Sequence, residues 1–134
     1  MIGTLTYRSR LATSWSNGAS PVRVSTTKST TLADSMALIA AARGVVSNDS
    51  GLMHVAAAFG VPQVALFGST SPEHTPPLNA NARVIWLKEE LQLDCAPCFD
   101  RVCRFGHTRC LTEIAPRRVQ AALAEAVAGR GGLQ

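Results

Sequence analysis

A carboxylate, a hydroxyl, a glycine and an imidazole stand within six positions of this chain, at Asp49, Ser50, Gly51 and His54. They belong to the stretch Val45-Val46-Ser47-Asn48-Asp49-Ser50-Gly51-Leu52-Met53-His54, where a short β-branched run stops on polar residues and an apolar-periodic helix begins at once. A helix start carries free backbone N–H groups and a partial positive charge, so this junction suits an anion, a diphosphate above all. Gly51 lets a ligand come close to the backbone. Ser50 and the N–H groups of residues 50–52 suit a phosphate. Asp49 repels one, so its carboxylate is expected to meet sugar hydroxyls or to cap the helix. His54 lies one turn in, on the side of Ser50, and can donate to a phosphate oxygen or a hydroxyl. The ordinary alternative is a pair of helix caps followed by a histidine without a role. Taken together, the junction points to a nucleotide-linked donor.

A second group of reactive side chains lies further along. Cys95-x2-Cys98-x4-Cys103-x6-Cys110 places all four cysteines of the chain in sixteen residues, with His107 among them. This is a local cluster and not a chain-wide disulfide framework. Three readings stay open: a structural zinc held by four thiolates, reduced buried thiols, or local disulfides. A first pair spaced by two residues is a common zinc half-site, but the usual second such pair is missing. No metal ligand is assigned on this basis. Glu73 and His74, in the loop between, are weaker candidates, because polar loops often carry such residues.

The elements that must position these groups follow from periodicity. Leu32, Met36, Ile39 and Ala40 recur at helical spacing after a cap at Thr30 or Thr31, with a stop at Arg43-Gly44. Residues 44–47 read as a short buried strand. Residues 51–59 read as a helix with Leu52, Val55, Ala56 and Phe59 inward, ended by Gly60. Residues 63–67 form a second buried strand closed by Gly68. Residues 69–78 are a loop stiffened by Pro72, Pro76 and Pro77. A third strand covers residues 83–87. The cysteine segment has no regular period. Pro116 opens a last helix with an apolar stripe of Val119, Ala122, Leu123, Ala126 and Val127. Val22 and Val24 can belong to a further short strand. The order helix, strand, helix, strand, strand implies an α/β fold, with helices packed on a parallel sheet. In such sheets ligands bind beyond the carboxyl ends of the strands, so the loops after residues 47 and 67 line one crevice if their strands are neighbours.

Composition narrows the classes. The chain has 134 residues, enough for one domain with a core, and its 46% hydrophobic and 16% charged residues exclude a disordered chain. Aromatics at 5% speak against a stacking surface for single-stranded nucleic acid. The formal charge of +4 and a pI near 9.2 fit an anionic ligand or membrane surface and name neither. The arginines are dispersed and form no nucleic-acid tail. No apolar run approaches the ~18–20 residues of a membrane span, and the start lacks the apolar middle of a secretion signal. The expected location is the cytoplasm.

The stretch from Val45 through Met53-His54-Val55-Ala56-Ala57-Ala58, together with Val64-Ala65-Leu66-Phe67-Gly68-Ser69-Thr70-Ser71-Pro72 and Thr75-Pro76-Pro77-Leu78, resembles the ADP-heptose–lipopolysaccharide heptosyltransferases, their type II branch most closely. The resemblance covers residues 24–128. It implies a Rossmann-like parallel sheet with flanking helices, the C-terminal part of the donor-binding domain of a two-domain GT-B glycosyltransferase. Residues 1–23 are then a poorly matched arm and residues 129–134 a frayed tail.

The resemblance further implies inverting transfer of heptose from ADP-heptose to the lipopolysaccharide inner core, with no obligatory metal or other cofactor. Asp49 is implied as the heptose contact, Ser50 and Gly51 as the diphosphate cradle, and His54 as a further donor partner. The cysteine segment occurs in some members and not others, so it lies outside the reaction. The family's base is an aspartate in its N-terminal domain, so no catalytic residue is expected here. The family's phosphate-binding Thr/Lys segment has no clear counterpart, and Lys28 reads as a solvated charge. The expected partners are ADP-heptose and, through the other domain, the lipopolysaccharide acceptor, with no nucleic acid and at most peripheral contact at the inner face of the inner membrane. These departures lead us to expect a truncated gene product without heptose transfer of its own. The readings from other classes are a non-catalytic remnant and a small zinc-stabilised binding module.

Overall fold

A computed structural model describes residues 31–129 of the chain. The N-terminal arm, Lys28, the strand expected at Val22 and Val24, and residues 130–134 of the tail lie outside the described residues.

Helix α1 (Leu32–Ala41) starts on a complete capping box. The Asp34 N–H donates to the Thr31 hydroxyl at 3.1 Å, and the Thr31 N–H donates to the Asp34 carboxylate at 2.9 Å. Two otherwise orphaned donors are thus satisfied reciprocally. The Thr31 N–H, and then its hydroxyl, hold the Asp34 carboxyl below the usual carboxylate range. The expected stop at Arg43-Gly44 is corrected: α1 ends at Ala41, and Ala42 is already extended. Gly44 has a packing reason instead. A Cβ there would sit 2.9 Å from Leu123 Cδ1 and 3.1 Å from Val127 Cγ2, so the glycine lets the last helix close on the sheet.

Strands β1 (Val45–Asn48), β2 (Gln63–Phe67) and β3 (Ala82–Trp86) form one sheet in the order β1-β2-β3, with both pairings parallel. The register sets Val45 beside Gln63 and Gln63 beside Ala82, and ends with Phe67 beside Trp86. The parallel α/β sheet read from the sequence is therefore present, with β1 and β2 as neighbours. Central β2 is buried on both faces, which explains its continuous apolar run.

On one face Met53 packs with Ala65, Phe67 and Trp86. On the other, Val64, Ile85 and Leu87 pack with Leu66, Leu91, Ile114, Val119, Ala122 and Leu123. The second face is covered by α4 (Pro116–Gly129), whose stripe matches the sequence reading. Burying a side chain such as Phe67 stabilises by about 1.5–3 kcal/mol.

Helix α2 (Gly51–Ala58) follows β1 and ends on a paired C-terminal turn. The Gly60 N–H donates to the Ala57 carbonyl and the Val61 N–H to the Ala56 carbonyl, both at 3.0 Å. Gly60 sits at φ +63°, where a side chain is strained. The inward face of α2 differs from the sequence reading. Met53 and Ala56 are buried, while Leu52 is 39% and Phe59 44% exposed. The helix is apolar on nearly every side, so spacing alone selects no face. The cysteine segment also holds a one-turn helix, α3 (Arg109–Thr112), too short to show a period.

The register places Ser47, Gln63 and Trp86 on the face that carries Met53. Ser47 Oγ, both Gln63 amide atoms and Trp86 Nε1 are buried there without hydrogen-bond partners among the described residues.

Candidate functional site

Because β1 and β2 are parallel neighbours, the segments leaving them emerge at the same edge of the sheet. The first is the bend Asp49-Ser50 that leads into α2. The second is the loop 68–78. Ser71 is buried and shapes that loop: its hydroxyl accepts from the Glu73 N–H at 3.2 Å, and its carbonyl accepts from the His74 and Thr75 N–H groups. The resulting turn presents Thr75, whose hydroxyl donates to Asp49 Oδ2 at 2.9 Å. Two segments 26 residues apart are thereby joined at the carboxylate. The Asp49 N–H is held by the Leu66 carbonyl at 3.3 Å, which ties the bend to β2 as well.

The start of α2 differs from that of α1. Ser50 occupies the N-cap position in extended backbone, yet its side chain makes no cap hydrogen bond. The Asp49 carboxylate is turned to Thr75. The capping reading therefore does not describe either residue. The Met53 N–H donates to the Ser50 carbonyl at 3.0 Å, while the N–H groups of Gly51 and Leu52 have no partner inside the helix. A Cβ built at Gly51 meets nothing within 4 Å, so the space in front of its backbone is open. Ser50, Gly51 and His54 are exposed and Asp49 is half-buried. The structure thus places Asp49, Ser50, Gly51 and His54 on one sheet edge, around an uncapped helix start with a held carboxylate beside it. Thr75 is the residue that the motif reading passed over. Its signal was a hydroxyl directly before Pro76-Pro77, in a loop bound to return to the strand ends.

A cavity lies beside the loop after β2, outside the junction itself. It measures about 110 Å³ and is bounded by Gly68, Ser69, His107 and all four cysteines. The cysteines are free thiols and partly buried, so the reading as local disulfides does not describe them, while that as reduced thiols holds with burial only partial. The Thr108 N–H, with those of Phe105, His107 and Gly106, holds the Cys103 thiol below its ordinary value. Burial, then the neighbouring Cys103 thiol, pushes Cys110 up. Leu111 packs directly over Gly68 at the cavity wall, where a Cβ would lie 2.7 Å from Leu111 Cγ, so a side chain there would have to displace Leu111. The segment is fastened to the loop after β2 by the Phe99 N–H, which donates to the Ser69 carbonyl at 2.8 Å, and by an edge-on contact of His74 and Phe99 with ring centres 5.6 Å apart. Among the described residues no helix is long and apolar enough to cross a membrane.

The family model for glycosyltransferase family 9 (heptosyltransferase) matches residues 10–109. Lipopolysaccharide heptosyltransferase 2 of Escherichia coli strain K12 is 59% identical over 58 residues, which is 43% of this chain and 17% of that protein. Lipooligosaccharide heptosyltransferase 2 of Haemophilus influenzae is 53% identical over 60 residues, or 45% of this chain and 17% of the relative. Lipopolysaccharide heptosyltransferase 1 of Pseudomonas aeruginosa is 32% identical over 124 residues, or 82% of this chain and 32% of the relative. Among solved structures, E. coli ADP-heptose lps heptosyltransferase II matches with a TM-score of 0.59 at 40% identity, over 77% of this chain and 27% of that one. The chain therefore spans well under half the length of the relatives it matches.

Proposed function

This chain belongs to glycosyltransferase family 9, the heptosyltransferases, and from that premise we propose that residues 45–54 bind the sugar-diphosphate donor, ADP-heptose, in the donor-binding domain of a two-domain GT-B enzyme. The observation that carries this reading is the uncapped start of α2 beside an Asp49 carboxylate that Thr75 holds at 2.9 Å. The diphosphate lies against the free N–H groups of Gly51 and Leu52 and the Ser50 hydroxyl. Asp49 accepts from hydroxyls of the heptose, where its negative charge does not face a phosphate. His54 donates to the donor from one turn further along α2.

In inverting transfer the bond from the sugar carbon to the diphosphate oxygen breaks while an acceptor hydroxyl attacks from the opposite side. Negative charge then grows on the departing diphosphate, and N–H groups fixed at a helix start stabilise it without reorganising. Asp49 faces the sugar, where positive charge grows. The acceptor hydroxyl loses its proton to a base in the family's other domain, and we assign no base among the described residues. The acceptor is the lipopolysaccharide inner core, met at the inner face of the inner membrane.

Thermal unfolding with ADP or UDP tests the class of donor. A ligand at about 100 times its Kd stabilises the folded state by ~2.7 kcal/mol. We expect ADP to raise Tm and UDP to raise it much less. Equal effects would point to another nucleotide-sugar transferase, and no effect of either to a remnant without a ligand.

A further inference from the structure

The segment 87–108 joins β3 to α3 without a helix or strand of its own. Such a long irregular connection needs something to hold it. Leu91, Leu93 and Ala96 anchor only its first half. Leu93 and Ala96 are buried, but Phe99, Val102 and Phe105 are 57%, 80% and 61% exposed. Its backbone is also strained, with Gln92, Phe99 and Thr108 at φ +49°, +57° and +46°. Yet this segment brings Cys95, Cys98 and Cys103 to one cavity, where Cys110 from α3 meets them.

We propose that this cavity is a binding site for a soft, thiophilic metal centre held by the four thiolates of Cys95, Cys98, Cys103 and Cys110. Nothing in the heptose-transfer reading uses these residues, so the inference stands apart from it. Among the described residues no three His, Cys, Asp or Glu groups are arranged to hold a metal ion, so binding has to draw the cysteine segment together. The cavity of about 110 Å³ has the volume of a sphere about 6 Å across. A lone zinc ion with Zn–S bonds of about 2.3 Å needs its thiolates only ~3.8 Å apart, so zinc has to draw the loop in. An iron–sulfur cluster takes the same four cysteine ligands around a larger core. In both cases each thiol gives its proton to solvent as its metal–sulfur bond forms, with no change in the oxidation state of sulfur. The centre is structural. It pins the segment whose Phe99 N–H holds Ser69, in the loop that carries Thr75 to Asp49.

The test is metal and sulfide analysis of the whole chain, purified without chelator and without oxygen, with its visible absorption spectrum. The expected result is about one equivalent of zinc in a colourless protein, or iron with matching sulfide and a broad visible band. The two outcomes distinguish the kinds of centre, and both support the site. Cys98→Ser combined with Cys110→Ser should lose the metal. Should that variant fail to fold, chelator treatment of the unmodified chain replaces it: reactive thiols should rise to four, and adding back the metal should protect them. Less than about a tenth of an equivalent of either metal, with all thiols reactive from the start or paired as disulfides, overturns the proposal. So does metal retained in the double variant.

Discussion

The hydrogen bond from Thr75 to Asp49 allows a quantitative test of how the junction is built. Thr75→Val removes the hydroxyl and keeps the shape. The bond is 2.9 Å long and its acceptor is a carboxylate. Hydrogen bonds to charged groups contribute about 1.5–3 kcal/mol. Asp49 is only half-buried, so water can replace the lost donor, and we expect a value at or just below the lower limit of that range, about 1–1.5 kcal/mol. For a domain near 100 residues, 1 kcal/mol lowers Tm by about 4–8 °C. The assay is a double-mutant cycle of Thr75→Val and Asp49→Ala by denaturant unfolding. We expect a coupling near 1 kcal/mol, because each single change removes the same bond. The same Thr75→Val change should weaken ADP-heptose binding about three- to tenfold, since the carboxylate loses its fixed position. A coupling below about 0.3 kcal/mol, with donor affinity unchanged, would refute the reasoning that Thr75 positions Asp49.

Three further outcomes follow from the fold. Gly60→Ala should destabilise by about 1–2 kcal/mol in denaturant unfolding. Space is not the cause, since nothing lies within 4 Å of a Cβ there, so Gly60→Asn should cost less. Gln63→Met should stabilise by about 1 kcal/mol, because it removes a fully buried amide with no partner while keeping its volume. Loss of stability instead would show that the amide has a partner in solution. Asp34 has a depressed folded pKa, so its contribution to α1 is present above the unfolded value and is lost as pH falls through the lower folded value. Amide exchange in the first turn of α1 should therefore speed up at acid pH in the unmodified chain and show little pH step in Asp34→Asn.

Much of the scaffold was legible from residue order. Strand β2 matches its expected bounds because an apolar run between Pro62 and Gly68 has few alternatives, and Pro116 marked the start of α4. Patterns that admit several answers failed. Leu52 and Phe59 were expected inward on a helix apolar on most sides, and the register of the sheet chose Met53 and Ala56. Gly44 looked like a helix stop, but its reason is Leu123, nearly eighty residues away. The same holds for the site. Asp49, Ser50, Gly51 and His54 were readable as a local cluster. The partner of Asp49 was not, because Thr75 reaches it only through the parallel pairing of β1 with β2.

The central claim is that Asp49 contacts the sugar while Ser50, Gly51 and the helix start hold the diphosphate. Calorimetric titration of ADP-heptose and of ADP into the unmodified chain and Asp49→Ala tests it directly. We predict that Asp49→Ala weakens ADP-heptose by about 10- to 100-fold, the equivalent of a charged hydrogen bond, and leaves ADP within about twofold. Equal affinities of the two proteins for ADP-heptose, or an equal loss for ADP, would contradict the assignment.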